Sequence, residues 1–419
     1  MGTSHQKEPR AKRLMPDHRP DGLIAFRSRD FSFYFASRFL SSLASMMIDV
    51  GVGWLVYELT DSALALGLAG LFAFMPNLIF MLIVGHVADR FDRRRVLILC
   101  YAATTLASAG IMWSAANKAD VMVIYALIFL FGTARAFANP ASQALLPAIV
   151  SRDVFPNALT WNSSSWQFAS ITGPALGGLA YMLGASSVFL ITTLFYLASL
   201  SLLIPIKPRP VETKREAATW ETLTAGWRYI WGKRVILGSI SVDLFAVLLG
   251  GATALLPVFA KDIFETGPLG LGILRAMPAV GAFICTLVIA RTGIGGMTGV
   301  KMFSCVAIFG FCMIGFGLST SIYVAAAFLA LSGAVDMVSV IIRQTLVQLE
   351  TPDHMRGRVS AVNSIFIGAS NELGAFESGA VASLIGPVAA VVTGGMASVA
   401  VAGIWAWLFP ELRKRDRLT

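Results

Sequence analysis

Long apolar runs separated by short polar breaks dominate this chain. About twelve of them approach or exceed the roughly 20 residues that a helix needs to cross a hydrocarbon core. They lie close to residues 31–58, 62–86, 95–116, 120–146, 156–183, 186–206, 235–260, 268–290, 299–318, 321–347, 357–384 and 387–409. No water-soluble core could hide so much apolar surface, because 56% of the 419 residues are hydrophobic and only 14% are charged. The pattern predicts an all-α membrane protein. The first 30 residues are polar and basic and run into a stretch of full spanning length, so the first helix is expected to stay as an anchor and not to be cleaved.

Charge gives the expected orientation. The net charge of +9 is not a nucleic-acid footprint, because lysine and arginine crowd onto the tails and alternate loops. Arg90, Arg93, Arg94 and Arg95 share one loop, Arg152, Arg291, Lys301, Arg356 and Arg358 follow on the same side, and the linker at 207–234 and both tails are rich in basic residues. Only Lys118 and Lys261 fall on the opposite loops. The positive-inside rule then puts both termini in the cytoplasm. Arg38, Arg135, Arg275 and Arg343 are left inside the apolar runs.

The chain repeats itself. A shift of about 201 residues brings Gly132, Gln143, Leu145, Asn162, Gly173 and Gly178 onto Gly333, Gln344, Leu346, Asn363, Gly374 and Gly379. A shift of 202 carries Gly70, Met75 and Pro76 onto Gly272, Met277 and Pro278. Two six-helix bundles, 31–206 and 235–409, are therefore expected, with tails at 1–30 and 410–419 and a linker at 207–234. Six is even, so the bundles should have parallel topology, related by an axis along the membrane normal. Within the linker, Trp220, Leu223, Trp227 and Ile230 recur at helical spacing and predict an amphipathic helix lying on the interface.

The loop GHVADRFDRRR, Gly85 to Arg95, resembles the signature of the major facilitator superfamily, with Gly85, Asp89, Arg90, Arg93 and Arg94 matching and Asp92 standing where many members carry glycine. Such arginines can bridge to carboxylates or helix carboxyl ends and form a breakable cytoplasmic gate. GPALGG, with Gly173, Pro174, Gly177 and Gly178, resembles the antiporter motif of exporters in that superfamily; its glycines permit close backbone contact and its proline favours a kink. The matching GAFESG lacks the proline and carries Glu377. Arg343 to Gly379 resembles the branch that includes bacterial enterobactin-type siderophore exporters. The resemblance implies a major facilitator fold of twelve transmembrane helices in two pseudo-symmetric bundles.

It also implies that the first, fourth, seventh and tenth spans line a central cavity, and these carry Asp49, Arg135, Asp243 and Asp336. A lone charge at the bilayer centre costs roughly 2.5–3.5 kcal/mol on insertion scales, so each should meet water, substrate or a counter-charge. Arg135 and Asp336 occupy equivalent repeat positions with opposite sign, which suggests a pair facing across the cavity. Arg38 and Arg343, nearer the cytoplasmic ends, read as structural ion pairs or snorkelling charges. Glu372 and Glu377 lie about 140° apart on an ideal helix, so they cannot both face one partner, for which Arg275 is a candidate. Phe72, Phe74, Phe137, Trp161 and Trp166 are candidate cavity walls.

Cys100, Cys285, Cys305 and Cys312 form no CxxC pair, and His5, His18, His86 and His354 fall outside the apolar runs, so no metal site or cofactor is expected. Nucleophile elbows, phosphate-cradling loops and Walker motifs are absent from the sequence, which argues against an enzyme or an ATP-driven pump. The expected function is proton-driven export of a small organic molecule, siderophore-like or an amphipathic drug, by a carrier working as a monomer in the lipid bilayer without nucleic acid. Uptake or uniport on the same fold, and a receptor or scaffold that moves nothing, are the alternatives.

Overall fold

The computed structural model describes residues 22–209 and 220–416. The amino tail, positions 210–219 of the linker and the last three residues lie outside the described residues, as do the side chains of Gly85, Asp89, Trp220 and Leu223.

Among the described residues the first half is built from α1 (Arg29–Thr60), α2 (Ala63–Ile79), α3 (Met81–Arg90), α4 (Arg93–Asn117), α5 (Val121–Ile149), α6 (Phe155–Tyr181) and α7 (Ala185–Leu203). Then follow α8 (Trp220–Gly232), α9 (Arg234–Gly250), α10 (Leu256–Val258), α11 (Gly267–Thr292), α12 (Thr298–Leu318), α13 (Ile322–Glu350), α14 (Asp353–Ile385), α15 (Pro387–Leu408) and α16 (Pro410–Arg413). Side-chain caps start several of them. Ser28 accepts from the Phe31 amide at α1 and Ser62 from the Ala65 amide at α2, which satisfies donors that a helix start leaves free.

Nine helical segments among the described residues are long and apolar enough to cross a membrane. The other expected spans differ for local reasons. Helices α6 and α14, 27 and 33 residues long, are interrupted by polar side chains such as Asn162, Gln167, Asn371 and Glu372. The stretch expected at 62–86 is two helices separated at Phe80, with Pro76 inside the first. The stretch expected at 235–260 breaks at Gly250 and Gly251, then continues through α10 into a π-helical turn, Phe259–Ile263. The Gly251 carbonyl freed by that break accepts from the Ser378 hydroxyl of α14 at 2.5 Å.

Helix contacts repeat across the chain. In the first half α1 packs on α6 and α7, α4 on α5 and α7, and α2 on α5. In the second half α9 packs on α14 and α15, α12 on α13 and α15, and α11 on α13. Between the halves α6 packs on α11 and α14 on α2, so each crossing is the repeat image of the other. The repeated glycines permit close approach in both halves: a Cβ at Gly132 would overlap the Ala73 carbonyl oxygen of α2, and one at Gly333 the Pro278 carbonyl oxygen of α11.

Candidate functional site

A cavity of about 680 Å³ lies between the halves, within the range of small-molecule sites. It is bounded by α1, α2 and α5 on one side and by α11 and α14 on the other. Apolar walls come from Ile48, Leu66, Phe74, Ile128 and Phe131, and amides from Asn77, Asn139 and Asn371.

Four charged side chains line it: Asp49, Arg135, Arg275 and Glu372. Asp49 of α1 and Arg275 of α11 form an ion pair across the two halves, Arg275 Nη2 to Asp49 Oδ2 at 4.0 Å, with both side chains about a quarter exposed. Arg275 Nη1 also donates to the Asp49 backbone carbonyl at 3.3 Å. Arg135 is exposed to the cavity. Glu372 sits in the combined field of Arg135, Asp49 and Arg275.

Beyond Asp49 the halves are tied together. The Tyr57 hydroxyl donates to the Asp262 carboxylate, and Lys261 Nζ donates to Asp61 Oδ1 at 2.5 Å. Lys261 also lies over the Tyr57 ring, 5.0 Å from its centroid. Asp61 adopts a left-handed conformation with φ of 45° at the end of α1, and Asp262 and Lys261 belong to the π-helical turn. In the other direction the cavity runs past Met81 and Val84 of α3, Asn139 and Pro140 of α5, and Ser364 and Ile365 of α14.

Asp243 and Asp336 are not in this cavity. Both line a separate small pocket inside the second half with Cys305, Phe309 and Ser339. Asp243, 7% exposed, is ion-paired with Arg343. The expected pairing of Arg135 with Asp336 is therefore corrected: equivalent repeat positions do not guarantee that side chains meet, and these two point into different spaces. Arg343 takes the structural ion-pair alternative and not the snorkelling one, being 3% exposed and held by a carboxylate from α9. Arg38 lies near the phenol groups of Tyr34 and Tyr101. Glu377 does not line the cavity, as its angular offset from Glu372 requires. Cys100, Cys305 and Cys312 are buried free thiols and Cys285 is half-buried.

Of the aromatic candidates only Phe74 lines the cavity. Phe72 stacks on Tyr125 with centroids 5.0 Å apart, Phe137 packs on Phe80, Trp161 donates to the Gly22 carbonyl at 2.8 Å, and Trp166 is 49% exposed. The tying residues Tyr57, Asp61, Lys261 and Asp262 were missed because they cluster only when the halves meet. Asn139 was legible, since it follows Arg135 by one helical turn on the same face.

The two motifs take different places. Arg94 donates through Nε to the Leu203 carbonyl at 3.0 Å and through Nη2 to the Ile204 carbonyl. It thus pins the carboxyl end of α7 within the first half and does not bridge the halves. Asp92 caps α4 by accepting from the Arg94 and Arg95 amides. Arg90 is exposed and Arg93 half-buried. In GPALGG, a Cβ at Gly177 would press on the Met47 backbone of α1, and one at Gly178 would overlap the Pro268 carbonyl oxygen of α11. Gly173 faces Met46, and Gly272 of α11 approaches the Pro174 carbonyl. The motif therefore holds α6 against a neighbour in its own half and one in the other half.

Two interlocked halves around a charged cavity define a transporter of the major facilitator class. The model of the transmembrane secretion effector family matches residues 21–418, and the chain belongs to that family. It is 25% identical over 395 residues to the enterobactin exporter EntS of Shigella boydii and to that of Escherichia coli, covering 92% of each chain. Among solved structures, a bacterial homologue of the iron transporter ferroportin in its inward-facing state aligns with a TM-score of 0.70 at 14% identity, covering 92% of this chain and 99% of that one. A bacterial homologue of the lysosomal transporter Spinster, inward-facing and unoccupied, aligns with a TM-score of 0.70 at 13% identity, covering 92% and 95%. The chain is a multi-pass membrane protein and a secondary transporter, not an enzyme.

Proposed function

We propose that this protein exports a small amphipathic organic molecule, siderophore-like or drug-like, by alternating access coupled to inward proton movement. The observation that carries the reading is the Asp49–Arg275 contact, a long and partly solvated ion pair made between the halves and inside the cavity. A pair of this kind is easily broken and remade, which two states of similar free energy require. The state described here is then the one open toward the α8 side, taken as cytoplasmic from the basic loops, and closed by Tyr57, Asp61, Lys261 and Asp262. The halves 31–206 and 235–409 rock as units about the α6–α11 and α2–α14 crossings. Glu372 or Asp49 carries the proton, and substrate competes for the arginines. A single chain suffices for this cycle.

The test is proteoliposome transport under an imposed proton gradient, with siderophores and lipophilic dyes as probes, comparing the parent with Asp49→Asn, Glu372→Gln and Arg135→Ala. Gradient-dependent flux should be lost in at least one carboxylate variant and in Arg135→Ala. Flux that persists after the gradient is collapsed, or that survives all three changes, defeats the proposal.

A further inference from the structure

Helix α8 has two unlike faces. One is committed to protein: Ile230 is 2% exposed among Val347, Val359 and Val362, and the Tyr229 hydroxyl donates to the Glu350 carbonyl at 2.8 Å. Gly226 lies against the Arg358 carbonyl of α14, which a Cβ would meet at 2.8 Å. The other face is open. Trp227 and Trp231 are 48% and 63% exposed yet stack on each other with centroids 5.7 Å apart, and Trp227 stacks again on Phe366 of α14 at 5.2 Å. Arg228 of α8 and Lys233 and Arg234 just after it in the chain are exposed, and among the described residues no ion pair engages them.

The place of the helix decides what covers that face. The apolar segment Arg234–Ile263, long enough to cross the membrane, begins two residues after α8 ends, so α8 lies where hydrocarbon gives way to headgroups. Indole rings settle at that level, and clustered basic side chains beside a span attract anionic lipid. Two stacked tryptophans with three unpaired cations close by in the chain complement a surface that is apolar below and negatively charged above. We propose that the outward face of α8 is a docking site for anionic phospholipid, with Trp227 and Trp231 seated at the interface and Arg228, Lys233 and Arg234 holding the phosphates. Phe366 lies between Ile365 and Gly368, both of which line the cavity, so the docked lipid also braces the turn of α14 at the cavity mouth. The site is separate from the cavity and does not depend on what the cavity carries.

Native mass spectrometry of the full-length protein, titrated with phosphatidylglycerol or phosphatidylcholine, tests this. Phosphatidylglycerol should bind in preference, and Arg228→Gln, Lys233→Gln and Arg234→Gln should each weaken it about fivefold, the equivalent of about 1 kcal/mol per basic residue. Trp231→Ala should weaken both lipids, and millimolar inorganic phosphate should displace neither. Thermal melts in detergent should leave the three glutamine variants within about a degree of the parent, since all three side chains are exposed. Equal occupancy by the two lipids, undiminished phosphatidylglycerol binding in the triple glutamine variant, or displacement by free phosphate overturns the proposal.

Discussion

Two ion pairs of the same chemistry occupy opposite situations in this molecule. Asp243 and Arg343 meet inside the second half, nearly out of reach of solvent, whereas Asp49 and Arg275 meet between the halves at 4.0 Å with about a quarter of each side chain exposed. The first sits in a small pocket packed among α9, α12 and α13, where Asp336 is the neighbouring carboxylate. The second shares its space with Arg135, Glu372 and any molecule that enters the cavity. Burial and not residue type separates a fixed structural pair from one that a transport cycle can open.

The largest effect should come from breaking the enclosed pair from one side. Arg343→Ala leaves the Asp243 carboxylate uncompensated and should destabilise the protein by about 3–5 kcal/mol, read as a fall in thermal midpoint in detergent. Replacing both partners, Asp243→Leu with Arg343→Met, should recover most of that loss, because the Asp243 carboxylate is no longer left without its partner, while Asp336 stays in the same pocket. A double variant as unstable as the single one would show that the pair contributes more than mutual compensation.

Packing at the repeated glycines comes next. Gly333→Ala drives a methyl group into the Pro278 carbonyl, a backbone atom that cannot swing aside, and should cost about 1–3 kcal/mol. Gly357→Ala meets nothing within 4 Å and should leave the melt unchanged or slightly higher. Equal melts for the two variants would contradict the close α11–α13 approach.

The exposed pair should show the reverse balance. Arg275→Gln is expected to change stability by no more than about 1 kcal/mol while slowing gradient-driven flux by about tenfold or more in proteoliposomes. Unchanged flux would make this pair as passive as the enclosed one. The smallest effect belongs to the contacts that tie the halves beyond the cavity. Lys261→Gln should weaken closure by about 0.2–1 kcal/mol, seen as a greater share of long distances between spin labels at Leu64 and Glu265. A distribution identical to that of the parent would remove Lys261 from the closing set.

The sequence by itself determined a great deal of this protein. Apolar runs of spanning length dictate helices in lipid, since only internally hydrogen-bonded backbone is tolerated there. The offset of about 201 residues pairs Gly132 with Gly333, and both stand at close helix approaches, to Ala73 and to Pro278. Asp49, Arg135 and Glu372 could be picked out because charge inside an apolar helix needs a reason. Tertiary structure alone decided which of those charges share a space. A charged side chain has a known position along its helix, but its partner depends on helix rotation and on contacts from distant segments. For that reason Arg135 was expected opposite Asp336 and is found near Glu372, while Asp49 pairs with Arg275, 226 residues away. The same physics hid Tyr57, Asp61, Lys261 and Asp262, ordinary helix-end residues until two halves brought them within hydrogen-bonding reach.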